Sequence, residues 1–270
     1  MWVLQRAREY DSDSGTPIPT VFDRLAVAGA EFRFGQLHLI ASAPGVGKSV
    51  LALTLAVWAG VPALYFSADS DAATQYARAA SIVTGDPVVM VMDALKRKET
   101  SKYDAALNRT RHVRFVFDSS PSLNDLNDHV MAYAWAFGRF PRLVVVDNVS
   151  NVFNELEGFA GLEDTMDWLH QLARKTSACV VGLHHVTGDY ESGDTVVPLS
   201  GLRGKISKLP VLILTLNRAF GAVQDVLNIA VVKNRAGQAA ANGTLSIPIA
   251  MNLARMWMET KVAPHLLKAA

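Results

Sequence analysis

One short glycine-rich segment constrains the fold of this 270-residue chain more than any other feature. The segment SAPGVGKS, residues 42–49, follows the apolar run LHLIA and precedes the helical pattern VLALTLAVWA. A glycine-rich loop between a strand and a helix lets backbone amides surround phosphate oxygens. Ser42 stands where the usual pattern has its first glycine. The order of strand, loop and helix predicts a phosphate-binding loop in an α/β fold.

Short apolar and β-branched runs recur along the chain, with helical patterns between them. The runs lie at residues 37–41, 63–67, 113–117, 143–146, 179–183, 211–216 and 227–232. Strands that alternate with helices form a mostly parallel central sheet with helices on both faces, and ligands bind at the carboxyl ends of its strands. From Leu199 onward the pattern is richer in strands and loops, with a further strand beginning at Leu245.

Composition and charge exclude several classes of protein. Half of the residues are hydrophobic and 19% are charged, which excludes a disordered chain. A formal net charge of +1 excludes nucleic-acid binding by overall basicity alone. The single cysteine, Cys179, fits a reducing compartment, and we expect it in the core. Gly60 and Pro62 interrupt the apolar stretch 50–66, so we expect no membrane span. Arg6, Arg8 and Glu9 stand where a signal peptide would need its apolar run, so we expect no secretory signal and a cytoplasmic protein.

The pattern divides the chain into two parts. Residues 1–20 contain a short predicted helix over 2–9 and the polar, proline-containing segment DSDSGTPIP. We interpret them as an N-terminal arm and linker outside the core. Residues 21–270 are then a single domain, a size that one α/β core can reach.

Residue types in and around the loop indicate a site for a nucleoside triphosphate and magnesium. Lys48 is placed to reach the β- and γ-phosphates, and the Ser49 hydroxyl can ligate Mg²⁺. Asp147, at the end of RLVVVD, is the second candidate magnesium ligand, with helix capping as its alternative role. The residues expected to bind the nucleotide are Ala43, Pro44, Gly45, Val46, Gly47, Lys48, Ser49 and Val50.

Three polar residues lie at the ends of two further predicted strands. Asp69 follows the run LYFSA and is the candidate general base for the attacking water; the alternative is that Asp69 or Asp71 only caps the next helix. His184 and His185 end the run CVVGL and point to opposite faces of the strand, so they cannot ligate one metal together. We expect one histidine to face the phosphates and sense the γ-phosphate; the alternative is a polar residue with a purely structural role.

In this order, the segments resemble the RecA-like ATPase core of the hexameric replicative DNA helicases, the DnaB-type family with its phage and plasmid relatives. The resemblance covers roughly residues 16–257 and rests on PIPTVFDRL, SAPGVGKSVLAL, ALYFSAD, FDSSPSLNDL, LVVVDNV, LSGLRGKISKLPVLILTLNR and VVKNRAGQAAANGT. The segment LHH at 183–185 resembles the plasmid RepA-type hexameric helicases. Some phage ring helicases also carry histidine where DnaB has glutamine.

The resemblance implies a RecA-like P-loop NTPase and assigns roles to individual residues. Lys48, Ser49 and Asp147 would bind ATP and Mg²⁺, Asp69 would be the hydrolytic carboxylate, and His185 would be the γ-phosphate sensor. Two further residues, Lys233 and Arg235, match the basic pair that reaches into the ATP site of the neighbouring subunit. Their i, i+2 spacing at a strand end aims both side chains the same way.

The resemblance further implies a homo-oligomeric ring, expected to be a hexamer, that moves on single-stranded DNA during bacterial, phage or plasmid replication, with a primase or a loader as a further partner. The residues in the segment that matches a DNA-contacting pore loop are Arg203, Lys205 and Lys208. A second matching loop, residues 151–164, carries four carboxylates that would repel phosphates, namely Glu155, Glu157, Glu163 and Asp164.

Two other functions remain open from the sequence. A RecA-type recombinase or recombination mediator would assemble the same ATPase core as a filament on DNA. A KaiC-like regulatory ATPase would control a protein partner without touching DNA. Closure into a ring separates a helicase from a recombinase, and DNA dependence of hydrolysis separates both from a regulatory switch.

Overall fold

The computed structural model describes residues 13–156, 158–202, 204–219, 221 and 225–261. The helices of these residues are α1 (Asp23–Val27), α2 (Lys48–Trp58), α3 (Ala72–Thr84), α4 (Val88–Arg97), α5 (Ser101–Leu107), α6 (Leu123–Phe137) and α7 (Gly158–Thr176). The strands are β1 (Leu37–Ser42), β2 (Ala63–Ser67), β3 (Val113–Val116), β4 (Leu143–Asp147), β5 (Cys179–His185), β6 (Leu212–Ala219), β7 (Asp225–Asn234), β8 (Ser246–Asn252) and β9 (Trp257–Met258).

The strands form one sheet in the order β3-β2-β4-β5-β1-β6-β7-β8-β9. Neighbours from β3 to β6 pair in parallel, and the pairs from β6 to β9 are antiparallel. The prediction of a mostly parallel sheet with a β-rich C-terminal part is therefore confirmed. Each predicted run lies on a strand, but several boundaries differ: β5 continues to His185, β7 continues to Asn234, and β3 ends at Val116.

The core explains why these runs are almost continuously apolar. Every residue of β1, β2 and β4 is buried. Since alternate residues of a strand point to opposite faces, both faces of the sheet must be covered in its centre. Cys179 is fully buried at the start of β5, as expected. The polar side chains therefore concentrate beyond the carboxyl ends of these strands.

Helix capping resolves one alternative left open by the sequence. The Asp71 side chain accepts a hydrogen bond of 2.7 Å from the backbone amide of Thr74 and forms the N-cap of α3. A carboxylate at this position satisfies an amide that the helix itself leaves without a partner. Asp71 is thus the capping residue, and Asp69 lies outside the cap.

Two expectations from the sequence are wrong. Ile18 is 5% exposed and belongs to the core, because its amide donates to the Phe32 carbonyl at 2.9 Å and its side chain packs within the main apolar core. The core therefore begins before residue 21, while the helix predicted over 2–9 lies outside the described residues. The second error concerns the loop predicted over 151–164, whose second half is helical because α7 begins at Gly158.

The long apolar stretch behind the glycine-rich loop divides as expected. Helix α2 ends at Trp58, and β2 begins at Ala63. Among the helices that the structure describes, none combines the length and the apolar composition needed to cross a bilayer.

His38 makes stability depend on pH. Its ring is fully buried; Nε2 accepts a hydrogen bond from the Arg33 amide at 3.0 Å, and Nδ1 donates to the Val180 carbonyl at 3.1 Å. Burial lowers the pKa of His38 from 6.5 to about 4. The unfolded chain binds this proton first, so the stabilisation is complete above the unfolded pKa and is lost as pH falls toward the folded pKa.

We expect His38 to remove about 2 kcal/mol from the free energy of unfolding between about pH 7 and about pH 5. Urea unfolding of the wild type and of His38→Gln, which has an uncharged polar side chain, measures this contribution. The variant should show a flatter pH dependence by that amount. Equal pH dependences in the two proteins would contradict a buried, neutral His38.

Candidate functional site

The glycine-rich loop joins β1 to α2 at the carboxyl edge of the sheet. Gly45 and Gly47 have φ of +75° and +129°, values that strain residues with a Cβ. Gly47 is the N-cap of α2 and offers no side chain to the first helical amides. These amides and the positive end of the helix dipole therefore face the loop, an arrangement that suits an anion such as phosphate.

Lys48 is buried at the centre of the site. Its side chain donates to the backbone carbonyls of Ser42 at 3.1 Å and Ala43 at 3.2 Å, and Nζ lies 3.0 Å from His185 Nδ1. Burial lowers the pKa of Lys48 to about 8, although the carboxylates of Asp147 and Asp69 oppose the shift. An ammonium held by neutral acceptors gains charge pairing when it moves to a phosphate.

Asp147 ends β4 beside Ser49 and is 2% exposed. Tyr65 donates to Oδ2 at 2.8 Å, whereas the buried Oδ1 has no hydrogen-bond partner among the described residues. Burial raises the pKa of Asp147, against the lowering effect of the Tyr65 and Ser49 hydroxyls. A buried carboxylate oxygen without a partner, next to a hydroxyl, fits oxygen ligation of Mg²⁺.

Asp69 and His185 meet above the ends of β2 and β5. His185 Nε2 lies 3.4 Å from Asp69 Oδ2, so the ring lies between Lys48 and this carboxylate. His184 points away from the pair, and its buried Nδ1 has no partner within the described part of the chain. Burial is the main cause that lowers the pKa of His184 to about 4 and keeps it neutral. The structure thus places His185, of the two histidines, at the site.

The cavity at this edge includes residues that sequence reasoning missed. It has a volume of about 270 Å³, and its lining residues are Pro44, Gly45, Gly47, Lys48, Ser49, Val50, Asp69, Ser70, Arg78, His185, Leu253 and Met256. Arg78 on α3 donates to the Ser70 hydroxyl at 2.9 Å, which brings a second cation to the site. An arginine on an amphipathic helix carries no local signal of this role, since it looks the same as a solvated side chain.

Lys233 and Arg235 lie toward the other end of the sheet. Lys233 pairs with Ile213 near the start of β6, whereas the glycine-rich loop follows the far end of the parallel strand β1. Both side chains donate to the Lys208 carbonyl, at 2.9 Å and 3.0 Å. Burial, with Arg235 nearby, lowers the pKa of Lys233 to about 8. The structure does not bring this pair to the loop of its own chain.

The candidate pore segment lies beside the start of α7. Lys205 and Lys208 are exposed, and Arg203 lies outside the described residues. Lys205 Nζ lies 3.6 Å from a carboxylate oxygen of Glu163, and the Asn154 amide donates to Asp164 at 2.8 Å. Two of the carboxylates expected to repel phosphates are therefore paired within the chain.

Exposed apolar side chains accompany these lysines. Phe153, Leu156 and Phe159 are each more than half exposed and line a cavity of about 600 Å³. Phe159 packs so closely on Gly204 that a Cβ there would lie 2.9 Å from its ring. Aromatic rings beside cations are the usual composition of a single-strand nucleic-acid surface, whereas the sequence pattern indicated only the charges of this loop.

Comparisons with known proteins show the family and the fold. The sequence profile of the DnaB-like helicase C terminal domain matches residues 17–248. The chain belongs to this family. It is 43% identical over 248 residues to the Gene 65 protein of Mycobacterium phage L5, covering 90% of this chain and 92% of that protein. It is 42% identical over 210 residues to the Gene 65 protein of Mycobacterium phage D29, with 76% and 90% covered.

Solved structures show the same fold for this DnaB-like chain. One of them, a solved ATPase domain, superposes with a TM-score of 0.77 at 15% identity, covering 96% of each chain. A DnaB-like replicative helicase, described with its interactions with primase, superposes with a TM-score of 0.73 at 17% identity. The match covers 94% of this chain and 64% of that helicase. The family and the RecA-like fold predicted from the sequence are therefore confirmed.

Proposed function

We propose that this DnaB-like chain is an ATP-driven helicase or translocase that hydrolyses ATP at the subunit interfaces of a homo-oligomeric ring and moves along single-stranded DNA. The convergence of Lys48, Asp147, Asp69 and His185 at one edge of the sheet carries the proposal. Phosphoryl transfer to water requires a cation for the phosphates, a ligand for Mg²⁺ and a carboxylate that orients the water. His185 contacts both the cation and this carboxylate.

Each residue of the site has a role that its contacts support. Lys48 leaves the carbonyls that hold it and binds the β- and γ-phosphates, and Ser49 and Asp147 would hold Mg²⁺. Asp69 accepts the hydrogen bond of the attacking water and orients it toward the γ-phosphate. Magnesium, when bound, adds positive charge beside the phosphate oxygens. His185 detects the γ-phosphate because it contacts Lys48 on one side and Asp69 on the other.

The position of Lys233 and Arg235 favours an assembled ring. Neither side chain lies at the glycine-rich loop of its own chain, so we propose that the pair completes the site of a neighbouring subunit. A heterologous interface of this kind repeats from subunit to subunit and closes into a ring when the rotation permits. A primase or a loader is a further proposed partner, since one structural relative is described with primase.

DNA-dependent ATP hydrolysis tests the function directly. Steady-state hydrolysis is measured with and without single-stranded DNA, together with displacement of a labelled strand from a forked duplex. Stimulated hydrolysis with strand displacement supports a helicase. Stimulation without displacement, on a filament, favours the recombinase, and hydrolysis that is indifferent to DNA contradicts the proposal and favours the regulatory switch.

The DNA surface yields a prediction that separates charge from stacking. We expect Lys205→Ala to weaken single-strand binding and to reduce the slope of log affinity against log salt by about 0.7. Phe159→Ala should lower affinity by about 1–3 kcal/mol with the slope unchanged, because it removes a stacking platform. Fluorescence anisotropy of a labelled oligonucleotide across a salt series measures both.

Lys96→Ala is the matched control for the charge, since Lys96 is exposed on α4 and distant in sequence from the candidate pore segment. It should leave both quantities as in the wild type. Unchanged affinity and slope in Lys205→Ala and Phe159→Ala would place the DNA elsewhere on the chain.

A further inference from the structure

Asn148, the residue after Asp147, lies between two residues of the proposed site. It is 1% exposed, and its Nδ2 donates a short hydrogen bond to Asp69 Oδ2. The same nitrogen lies 2.9 Å from His185 Nε2. The amide therefore contacts both the carboxylate assigned to the attacking water and the ring assigned to the γ-phosphate.

The hydrogen-bond donors around His185 fix the direction of this contact. Lys48 is a donor only, so His185 Nδ1 accepts from it, and the proton of a neutral ring is on Nε2. Nε2 faces Asp69 Oδ2 at 3.4 Å. Asp69 Oδ2 thus faces two donors, the Asn148 amide and the His185 ring, which approach each other as donors to one acceptor and do not hydrogen-bond each other. Their positions restrict where the carboxylate can lie.

The other end of the Asn148 side chain gives independent support. Its Oδ1 is buried and has no hydrogen-bond partner among the described residues. A buried amide oxygen without a partner destabilises the folded chain. Asn148 is itself buried, so an apolar side chain would avoid that cost, whereas the amide supplies a donor to Asp69.

We propose that Asn148 is a positioning residue that holds the Asp69 carboxylate in place for the attacking water, beside the His185 ring. The proposal deepens the hydrolytic function proposed above and rests on it. Aspartate is one methylene shorter than glutamate, so its oxygens must be held accurately to orient a water at the γ-phosphate. A displacement of about 1 Å in such a site can cost about 10²-fold in rate.

Steady-state kinetics of Asn148→Ala test this role. We expect kcat to fall by about 10- to 100-fold while KM for ATP stays within about twofold, because the loop and Lys48 do not contact the amide. Asn148→Asp, which keeps the shape and removes the donor, should lose at least as much. Asn124→Ala, an exposed asparagine on α6, is the control and should retain wild-type kcat. Thermal unfolding of each variant confirms that it is folded.

A second background distinguishes positioning from a purely structural role. In Asp69→Glu the longer side chain moves the carboxylate away from the amide, so the further substitution Asn148→Ala should change kcat by less than about threefold. An unchanged kcat in Asn148→Ala, or the same loss in both backgrounds, would overturn the proposal. Absence of hydrolysis in the wild type would instead overturn the proposed function, so the two failures are distinguishable.

Discussion

Replacing Lys48 by alanine should abolish ATP hydrolysis, with a loss on the order of 10³-fold in kcat. Lys48 is 4% exposed and is the cation at the start of α2, beside the amides of the loop. Arg78, the other cation that lines the cavity among the described residues, bonds Ser70 and follows a different strand. No nearby side chain of this cavity therefore replaces the ammonium on the γ-phosphate.

The measurement is steady-state release of phosphate with single-stranded DNA present, and Lys96→Ala serves as the control lysine. Thermal unfolding should show that Lys48→Ala is folded, since the change removes a charge that burial already disfavours. In the wild type, the pKa of Lys48 is about 8, so the free chain loses the Lys48 proton as pH rises through that value. Nucleotide affinity should therefore decline over the same pH range, because the phosphates bind the charged ammonium. Undiminished hydrolysis by Lys48→Ala would end the ATPase proposal.

The sequence was sufficient for the fold because its signals are local and repeated. Buried parallel strands are apolar over their whole length, so β1, β2 and β4 stand out without any tertiary information. The predicted ends of the strands were less exact than the predicted strands themselves, because a strand such as β7 continues past its apolar centre to Asn234. Ile18 was missed because one apolar residue among prolines carries no periodicity.

The site was predictable only where its residues belong to a motif or end a strand. Lys48 and Asp147 satisfy this condition. Arg78 and Asn148 do not, because their contacts depend on which face of α3 meets the loop and on the course of the backbone after β4 ends at Asp147. Neither quantity is contained in a local pattern, and a buried asparagine next to an aspartate has no distinctive spacing. Side-chain geometry was needed to find both.

Arg235→Ala should reduce hydrolysis by about 10³- to 10⁵-fold if its guanidinium reaches the phosphates of a neighbouring subunit. The structure places Arg235 at the Lys208 carbonyl, far along the sheet from its own glycine-rich loop. The Asp147→Asn chain should also be inactive, because it lacks the proposed ligand of Mg²⁺. Its own Arg235 remains intact. The two inactive chains are therefore complementary across one kind of interface.

Mixing them gives the sharper test, since an active interface needs Asp147 from one subunit and Arg235 from the next. In a random equal mixture roughly a quarter of the interfaces combine both, so hydrolysis should return to about that fraction of the wild-type rate. Mixing Arg235→Ala with Lys233→Ala is the matched control and should restore nothing, because every interface then lacks one cation of the pair. Mixed rings that form but show no recovery at any ratio would mean that Arg235 does not act on a neighbouring site.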